Sequence, residues 1–264
     1  MSALYLKSVG VLGPGLPDWP SARAALAGQS SCDTSIAPQP NVRLLPANER
    51  RRVPTQVRWV MAAAQQAVAG AEREARDVVM VFSSSSGDGE IVHRLCEAVA
   101  APPREVSPTL FHNSVHNAPA GYWSIGTGSQ QRSVALCGYD ASFTVGLIEA
   151  AALVLAERAR VLLVACDLPF PQPLAALRRI DCAFAVALLL APEGGTGTLA
   201  RWRVSLARGA ARTALPAMLE PALASNPAAQ GLPLLAAAAR GGAGCIRLAH
   251  LGEQHVAVEV EPCS

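Results

Sequence analysis

Three stretches of this chain carry apolar residues with almost no interruption: VVMVF at 78–82, RVLLVAC at 160–166 and CAFAVALLLA at 182–191. A strand with one face in water alternates apolar and polar residues, so strands that do not alternate must be covered on both sides. Three of them in one chain require a central sheet between two layers, and the layers that this sequence offers are helices. SFTVGLIEAAALVLAER at 142–158 supplies one, with Glu149 as its only charge before Glu157 and Ser142 as its expected cap. A helix apolar on nearly all sides lies buried at the centre of a domain. The fold class is therefore α/β. With 51% of its 264 residues hydrophobic and only 16% charged, the chain has little polar surface to spare, which points to a body that hides part of its surface against a partner.

The remaining pattern fills in around that core. Residues 3–9 alternate like a first strand, and SARAALAG (21–28) reads as a short helix. Pro54 suits the first turn of a helix, and Val57, Val60, Met61, Ala64 and Val68 recur at helical spacing, predicting an amphipathic helix over 54–71. SSSSGDGE (83–90) is a small-residue turn leading into a helix through about Val99. The stretch 107–126 mixes helical spacing with Asn, Pro and Gly and has no clear assignment. SVALC (133–137) reads as a strand that turns through 138–141 into the buried helix. Past Pro192 the texture weakens, with an Ala-, Gly- and Pro-rich segment at 209–244, and CIRLAH (245–250) and HVAVEV (255–260) then flank LGEQ as a hairpin.

Several function classes lose support here. The balance of 22 basic to 20 acidic residues gives no electrostatic reason to expect nucleic acid. The seven cysteines, Cys32, Cys96, Cys137, Cys166, Cys182, Cys245 and Cys263, are odd in number and form no C-x-x-C pair, so a cytoplasmic protein with reduced thiols is expected. The apolar run at 182–192 is shorter than the ~18–20 residues of a membrane span. SSSSGDGE lacks the G-K-[ST] ending of a phosphate loop, and no G-x-S-x-G elbow is present. His112 and His116 are four apart, but the residues between them include no Glu of the H-E-x-x-H kind. Neither a metal nor a cofactor is expected.

A strand-to-helix turn is where α/β enzymes place a nucleophile, because unpaired N–H groups and the helix dipole stabilise a thiolate or oxyanion there. Cys137 stands at the end of that strand, one step before the turn. Its alternative reading is a small buried hydrophobe. A pair of Cys137 with His112 or His116 would suit acyl transfer. Asn113, Ser114 and Asn117 read as side chains that fix the backbone of a tight passage. Arg50, Arg51 and Arg52 form the one basic cluster, read either as a solvated face or as a docking point for an acidic carrier protein.

SPTLFHNSVHNAPAG at 107–121 resembles the β-ketoacyl synthase-like family that includes the chain length factors of aryl polyene, polyketide and fatty acid clusters. The similarity continues through NERRR (48–52), VFSSSSGDG (81–89), DASFTVGLIEA (140–150) and VLLVACDLPFPQPL (161–174), and so covers most of 1–192. The resemblance implies a thiolase-like, condensing-enzyme fold with a mixed sheet around a buried central helix. Residues 1–192 would be the N-terminal thiolase half and 193–264 an abbreviated extension ending in a β-hairpin, the second half being absent or strongly shortened. It also implies an elbow that should carry a catalytic cysteine. Counting back from Gly146 puts that register on Gly138, and counting forward from Ala120 and Gly121 puts it on Asp140, so Cys137 misses the first by one residue. The second half would supply two histidines, and His250 and His255 lie in no matching motif. The expectation is a noncatalytic chain length factor that pairs with an active ketosynthase through the strand at 133–137 and receives acyl carrier protein. Phe111, Asn113, Ser114, His116, Asn117, Tyr139 and Phe143 would shape the acyl tunnel or the partner interface. The alternative is a stand-alone acyltransferase or thioesterase that uses Cys137.

Overall fold

The computed structural model describes residues 3–69, 72–209 and 212–263. Residues 70 and 71, at the end of the predicted helix, and 210 and 211, within the Ala- and Gly-rich segment, lie outside the described residues. The strands are β1 (Leu4–Leu12), β2 (Val79–Ser83), β3 (Ser133–Leu136), β4 (Val161–Asp167), β5 (Phe184–Ala191), β6 (Ala200–Arg208), β7 (Gly244–Ala249) and β8 (Gln254–Pro262). The longer helices are α1 (Trp19–Leu26), α2 (Thr55–Ala67), α3 (Gly89–Ala100), α4 (Ala118–Thr127), α5 (Ser142–Glu157) and α6 (Leu232–Arg240).

All eight strands form one mixed sheet in the order β3-β2-β4-β5-β1-β6-β8-β7. β3, β2 and β4 run parallel, and every later neighbour pairs antiparallel. The uninterrupted apolar runs are explained by two cores that share their strands. Val79, Val81, Leu163, Ala165, Val186 and Leu188 face the core that contains α5, while Met80, Phe82, Leu162, Val164, Ala185 and Ala187 face the one built on α2. No position on β2, β4 or β5 is left for a solvated side chain, so none is polar until each strand ends.

α2 lies against β1 so closely that a Cβ on Gly10 would fall 1.9 Å from the Ala63 carbonyl oxygen. Gly10 therefore sits inside a strand that the sequence pattern closes at residue 9. The stretch 107–126 resolves into a short helix, Pro108–His112, and α4, joined by a turn at 113–117. Tyr139–Glu157, comprising the elbow turn and α5, is long and apolar enough to cross a membrane, but more than half of it is buried in the fold against β2 and β4.

The part of the chain after residue 192 completes the same sheet. β6 pairs with β1, and β8 and β7 extend it. α6 rests on α1, where Arg240 Nε donates to the Leu26 carbonyl at 3.0 Å. Leu4, Phe143, Leu163, Trp202, Leu235 and Val258 all belong to one core.

Candidate functional site

β2 and β3 end at the same level, with Ser83 in register with Leu136 and Ala165, and β4 runs two residues further to Asp167. Three connections therefore meet at their C-terminal ends: the serine turn after β2, the elbow after β3 and the loop after β4. Ligands of parallel α/β sheets bind outside the carboxyl ends of the strands.

Asp167 closes β4 and is almost fully buried. Its Oδ1 accepts from the Ser85 N–H (2.7 Å), the Ser85 hydroxyl (2.8 Å) and the Ser84 hydroxyl (3.0 Å). Oδ2 is buried without a hydrogen-bond partner. Burial pushes the carboxyl up from the usual 3.8 to about 6, against the pull of the serine donors and of the Arg178 charge. Ser84 Oγ also accepts from Gln56 Nε2 (3.0 Å) and the Gly87 N–H (3.1 Å). The serine turn is thus a bracket tied to an acid at a strand end.

The elbow is tied down next to it. Cys137 is the first residue after β3, not the last one within it. It is exposed overall, but its thiol donates to the Ser85 carbonyl at 3.0 Å. Ser142 is not the helix cap expected from sequence: it is the first residue of α5, and its hydroxyl accepts from the Gly138 N–H (3.0 Å) and donates to the Tyr139 carbonyl (2.7 Å). A Cβ on Gly138 would lie 2.6 Å from Val145 Cγ2, so no side chain fits there. Tyr139 has φ +53°, a left-handed conformation that an aromatic residue rarely adopts. The Arg178 guanidinium, from the loop after β4, lies 3.9 Å above the Tyr139 ring and bridges Asp140 at 2.5 Å. Gln230 Nε2 donates to the Asp140 carbonyl at 2.5 Å.

A cavity of about 490 Å³ opens beside the elbow, lined by Asp140, Arg178, Asn226, Gln230, Leu248 and Ala249 among others. Its wall beyond the elbow comes from the segment after residue 192. His250 reaches the same corner, its Nδ1 2.9 Å from Thr144 Oγ1, and burial lowers its pKa.

The other predicted residues divide into two groups. Phe111, at 65% exposure, belongs to the passage 107–117, whose His116 Nε2 donates to the Leu136 carbonyl at 2.9 Å. Asn113 is buried and accepts from the Tyr122 hydroxyl at 3.0 Å, Ser114 donates to the Phe111 carbonyl at 2.8 Å, and Asn117 precedes α4. These residues stand beside β3. Phe143 is elsewhere: it is fully buried in the core, where a Cβ on Gly231 would fall 2.5 Å from its ring. Arg50, Arg51 and Arg52 are exposed on the short helix Ala47–Arg50 and the turn that follows. His112 ends its short helix and His116 lies in the next turn, so the pair shares no helical face. Among the described residues no group of three or more His, Cys, Asp or Glu is placed to hold a metal.

β3 is an edge. Among the described residues no strand pairs with its outer side. Exposed apolar side chains flank it, with Phe111, Val115 and Ile125 around α4 and Leu155 near the end of α5. The Arg132–Glu157 ion pair ties that helix end to the start of the strand.

A model of the β-ketoacyl synthase N-terminal domain matches residues 24–246. The chain belongs to that family. No curated protein matches this ketosynthase-family sequence. Solved structures match its fold. The ketosynthase ApeO in complex with its chain length factor ApeC from Xenorhabdus doucetiae gives a TM-score of 0.74 at 21% identity, over 98% of this chain and 100% of that one. The ishigamide ketosynthase/chain length factor gives 0.72 at 12% identity, covering 100% of both chains. A β-ketoacyl synthase from Burkholderia phymatum STM815 gives 0.59 at 15%, over 92% of this chain and 71% of that one. The fold is the thiolase-like fold of condensing enzymes, built here as one mixed sheet with helices on both faces.

Asp167, Arg178, Asn226 and Gln230 join the site although none belongs to a catalytic or ligand-binding motif in the sequence. An acid ending a wholly apolar strand is a readable signal for Asp167, since such a position is buried. Arg178, Asn226 and Gln230 reach the elbow only through tertiary packing and have no local signature.

Proposed function

We propose that the chain is a noncatalytic ketosynthase-like chain length factor, which pairs with an active β-ketoacyl synthase and shapes the tunnel for acyl chains in polyene, polyketide or fatty acid synthesis. The observation that carries this reading is the elbow: it has the strand-turn-helix form of a nucleophile site, but its one cysteine is turned to the Ser85 carbonyl. The Cys137 thiol and the His116 imidazole each bond a backbone carbonyl, Ser85 and Leu136 respectively, and not each other. His116 is therefore not aligned to activate the thiol. The free edge of β3 and its apolar surroundings support pairing by continuation of the sheet into a partner ketosynthase. The likeness to ketosynthase/chain length factor structures supports the same assembly. Phe111, Val115 and Tyr139 then face the partner or the tunnel, and Arg50 to Arg52 offer an acidic carrier protein a basic contact.

Co-expression with the ketosynthases encoded beside its gene tests this. A stable heterodimer that elongates carrier-bound acyl groups, with Cys137→Ala as active as the natural chain, is the expected result. An acyl adduct on Cys137, lost in Cys137→Ala together with activity, would establish the acyltransferase alternative instead.

A further inference from the structure

We infer that Tyr139 occupies the apex of the elbow, where an active relative would carry its nucleophile, and that Arg178 pins the Tyr139 ring there. The inference deepens the noncatalytic reading and rests on it.

Four consecutive residues compete for the apex, and geometry separates them. Cys137 precedes the turn and its thiol is engaged by Ser85. Gly138 has no room for a side chain, because Val145 occupies the space. Asp140 is the second residue of the 3₁₀ turn that Tyr139 begins, its carboxylate held by Arg178 and its carbonyl by Gln230. Tyr139 alone combines left-handed backbone with an outward side chain that is 59% exposed. A sharp, strained strand-to-helix turn that lifts one side chain above the sheet is the geometry of a nucleophile elbow. The register counts of Gly138 and Asp140 fall on either side of it.

Arg178 accounts for what holds the ring. Stacking on the phenol face and bridging Asp140 from the same guanidinium, it grips two successive elbow residues at once. Asp140 and Arg178 line the cavity of about 490 Å³, and the Tyr139 ring lies on the other side of the guanidinium as a residue outside that lining.

The position is tested by reactivity. In separate full-length variants, Tyr139→Cys and Asp140→Cys, alkylation by iodoacetamide and acylation by a short acyl N-acetylcysteamine thioester are followed by peptide-resolved mass spectrometry. In the acylation the cysteine thiolate attacks the acyl carbonyl, a new C–S bond forms, and N-acetylcysteamine leaves with its sulfur and takes up a proton. The apex residue has a left-handed backbone and an exposed side chain at the start of the turn into α5, whereas the Cys137 thiol is engaged by Ser85, so the cysteine of Tyr139→Cys is expected to react at least tenfold faster than the natural Cys137 and than the cysteine of Asp140→Cys. Equal rates, or a faster Asp140→Cys, would overturn the assignment. Thermal melting identifies a misfolded variant, and Gln230→Ala, which loosens Asp140 and leaves Tyr139 in place, then serves as the control for elbow disturbance in the Tyr139→Cys chain.

Failure of the natural chain to pair with any ketosynthase refutes the partner reading, while the reactivity comparison still decides the apex.

Discussion

Asp167 is the residue at which the strand-end site and the stability of the fold meet. Its carboxyl is raised from 3.8 to about 6 chiefly by burial, so the folded state binds a proton more tightly than the unfolded chain. The sign follows from linkage: the stabilisation is fully present below about pH 3.8 and is lost as pH rises through about 6. The difference corresponds to about 3 kcal/mol at pH 7. Asp167→Asn keeps an oxygen for the Ser84 and Ser85 donors and never ionises. Its stability relative to the natural chain should therefore rise by up to about 3 kcal/mol between pH 4 and pH 7. Urea midpoints of both proteins at the two pH values check this, since every other titrating group cancels, and a difference that stays constant with pH would refute it. A second residue-scale outcome concerns Gly231, where a methyl group meets the Phe143 ring. Gly231→Ala should cost about 1–3 kcal/mol as an overpacked core does, read as a lower melting temperature. The Gly231 contact was not legible in the chain, and the burial of Asp167 shows there only as an acid at the end of an apolar strand. The strand run at 160–166 stops short of Asp167, and Phe143 has the size of a tunnel residue although packing puts it in the core. The left-handed backbone at Tyr139 leaves no trace in a sequence either, because composition marks such positions only when glycine or asparagine holds them.

Among the elements, legibility followed how completely packing dictates residue type. β2, β4, β5 and α5 are covered on both sides, and their apolar runs read directly. β6 alternates Ala200, Trp202, Val204 and Leu206 with Arg201, Arg203 and Ser205, which is a half-buried strand pattern, yet it lies just ahead of a weakly periodic segment and was passed over. α6 is mostly alanine and leucine, which favour a helix, but Pro233 and the Gly- and Pro-rich residues around it hide that signal until the helix docks on α1. β3 is four residues long, and its importance lies in the side that has no strand beside it. If that side receives the ketosynthase, charges placed around it act on association and not on folding, since Ile125 and Leu155 already face solvent. Ile125→Glu combined with Leu155→Glu should weaken the heterodimer by tenfold or more, as unpaired buried charges do. The melting temperature of the isolated chain should stay within a few degrees. Titration calorimetry and thermal melting separate the two outcomes, and a chain that melts early while pairing normally would mean that the two side chains serve the fold.

At the scale of the whole molecule, the low charge and high apolar content divide between a core and an uncovered edge. The core runs through the chain from Leu4 to Val260, so the residues after 192 are integral to it. Trp202, Leu223, Leu232, Leu235, Val256 and Val258 are each at least 99% buried, and they cover Leu4, Leu6 and Phe143 from the first part of the chain. Burial of each large side chain contributes about 1.5–3 kcal/mol. Losing six of them removes about 9–18 kcal/mol, as much as the whole 5–15 kcal/mol by which an ordinary domain is stable. A chain ended at residue 192 should therefore fail to fold, expressing as aggregate or showing no protected amides in hydrogen exchange. The full chain should unfold in a single transition, with tryptophan fluorescence and far-ultraviolet circular dichroism coinciding, because Trp59 and Trp123 report on the α2 core and Trp202 on the α5 core. Two separated transitions, or a soluble cooperative 1–192 fragment, would show that the sheet is held as two units. In that event the extension would be a cap added to a self-sufficient half. The Arg178 grip on the elbow would survive its removal, but the Gln230 contact and the far wall of the cavity would not.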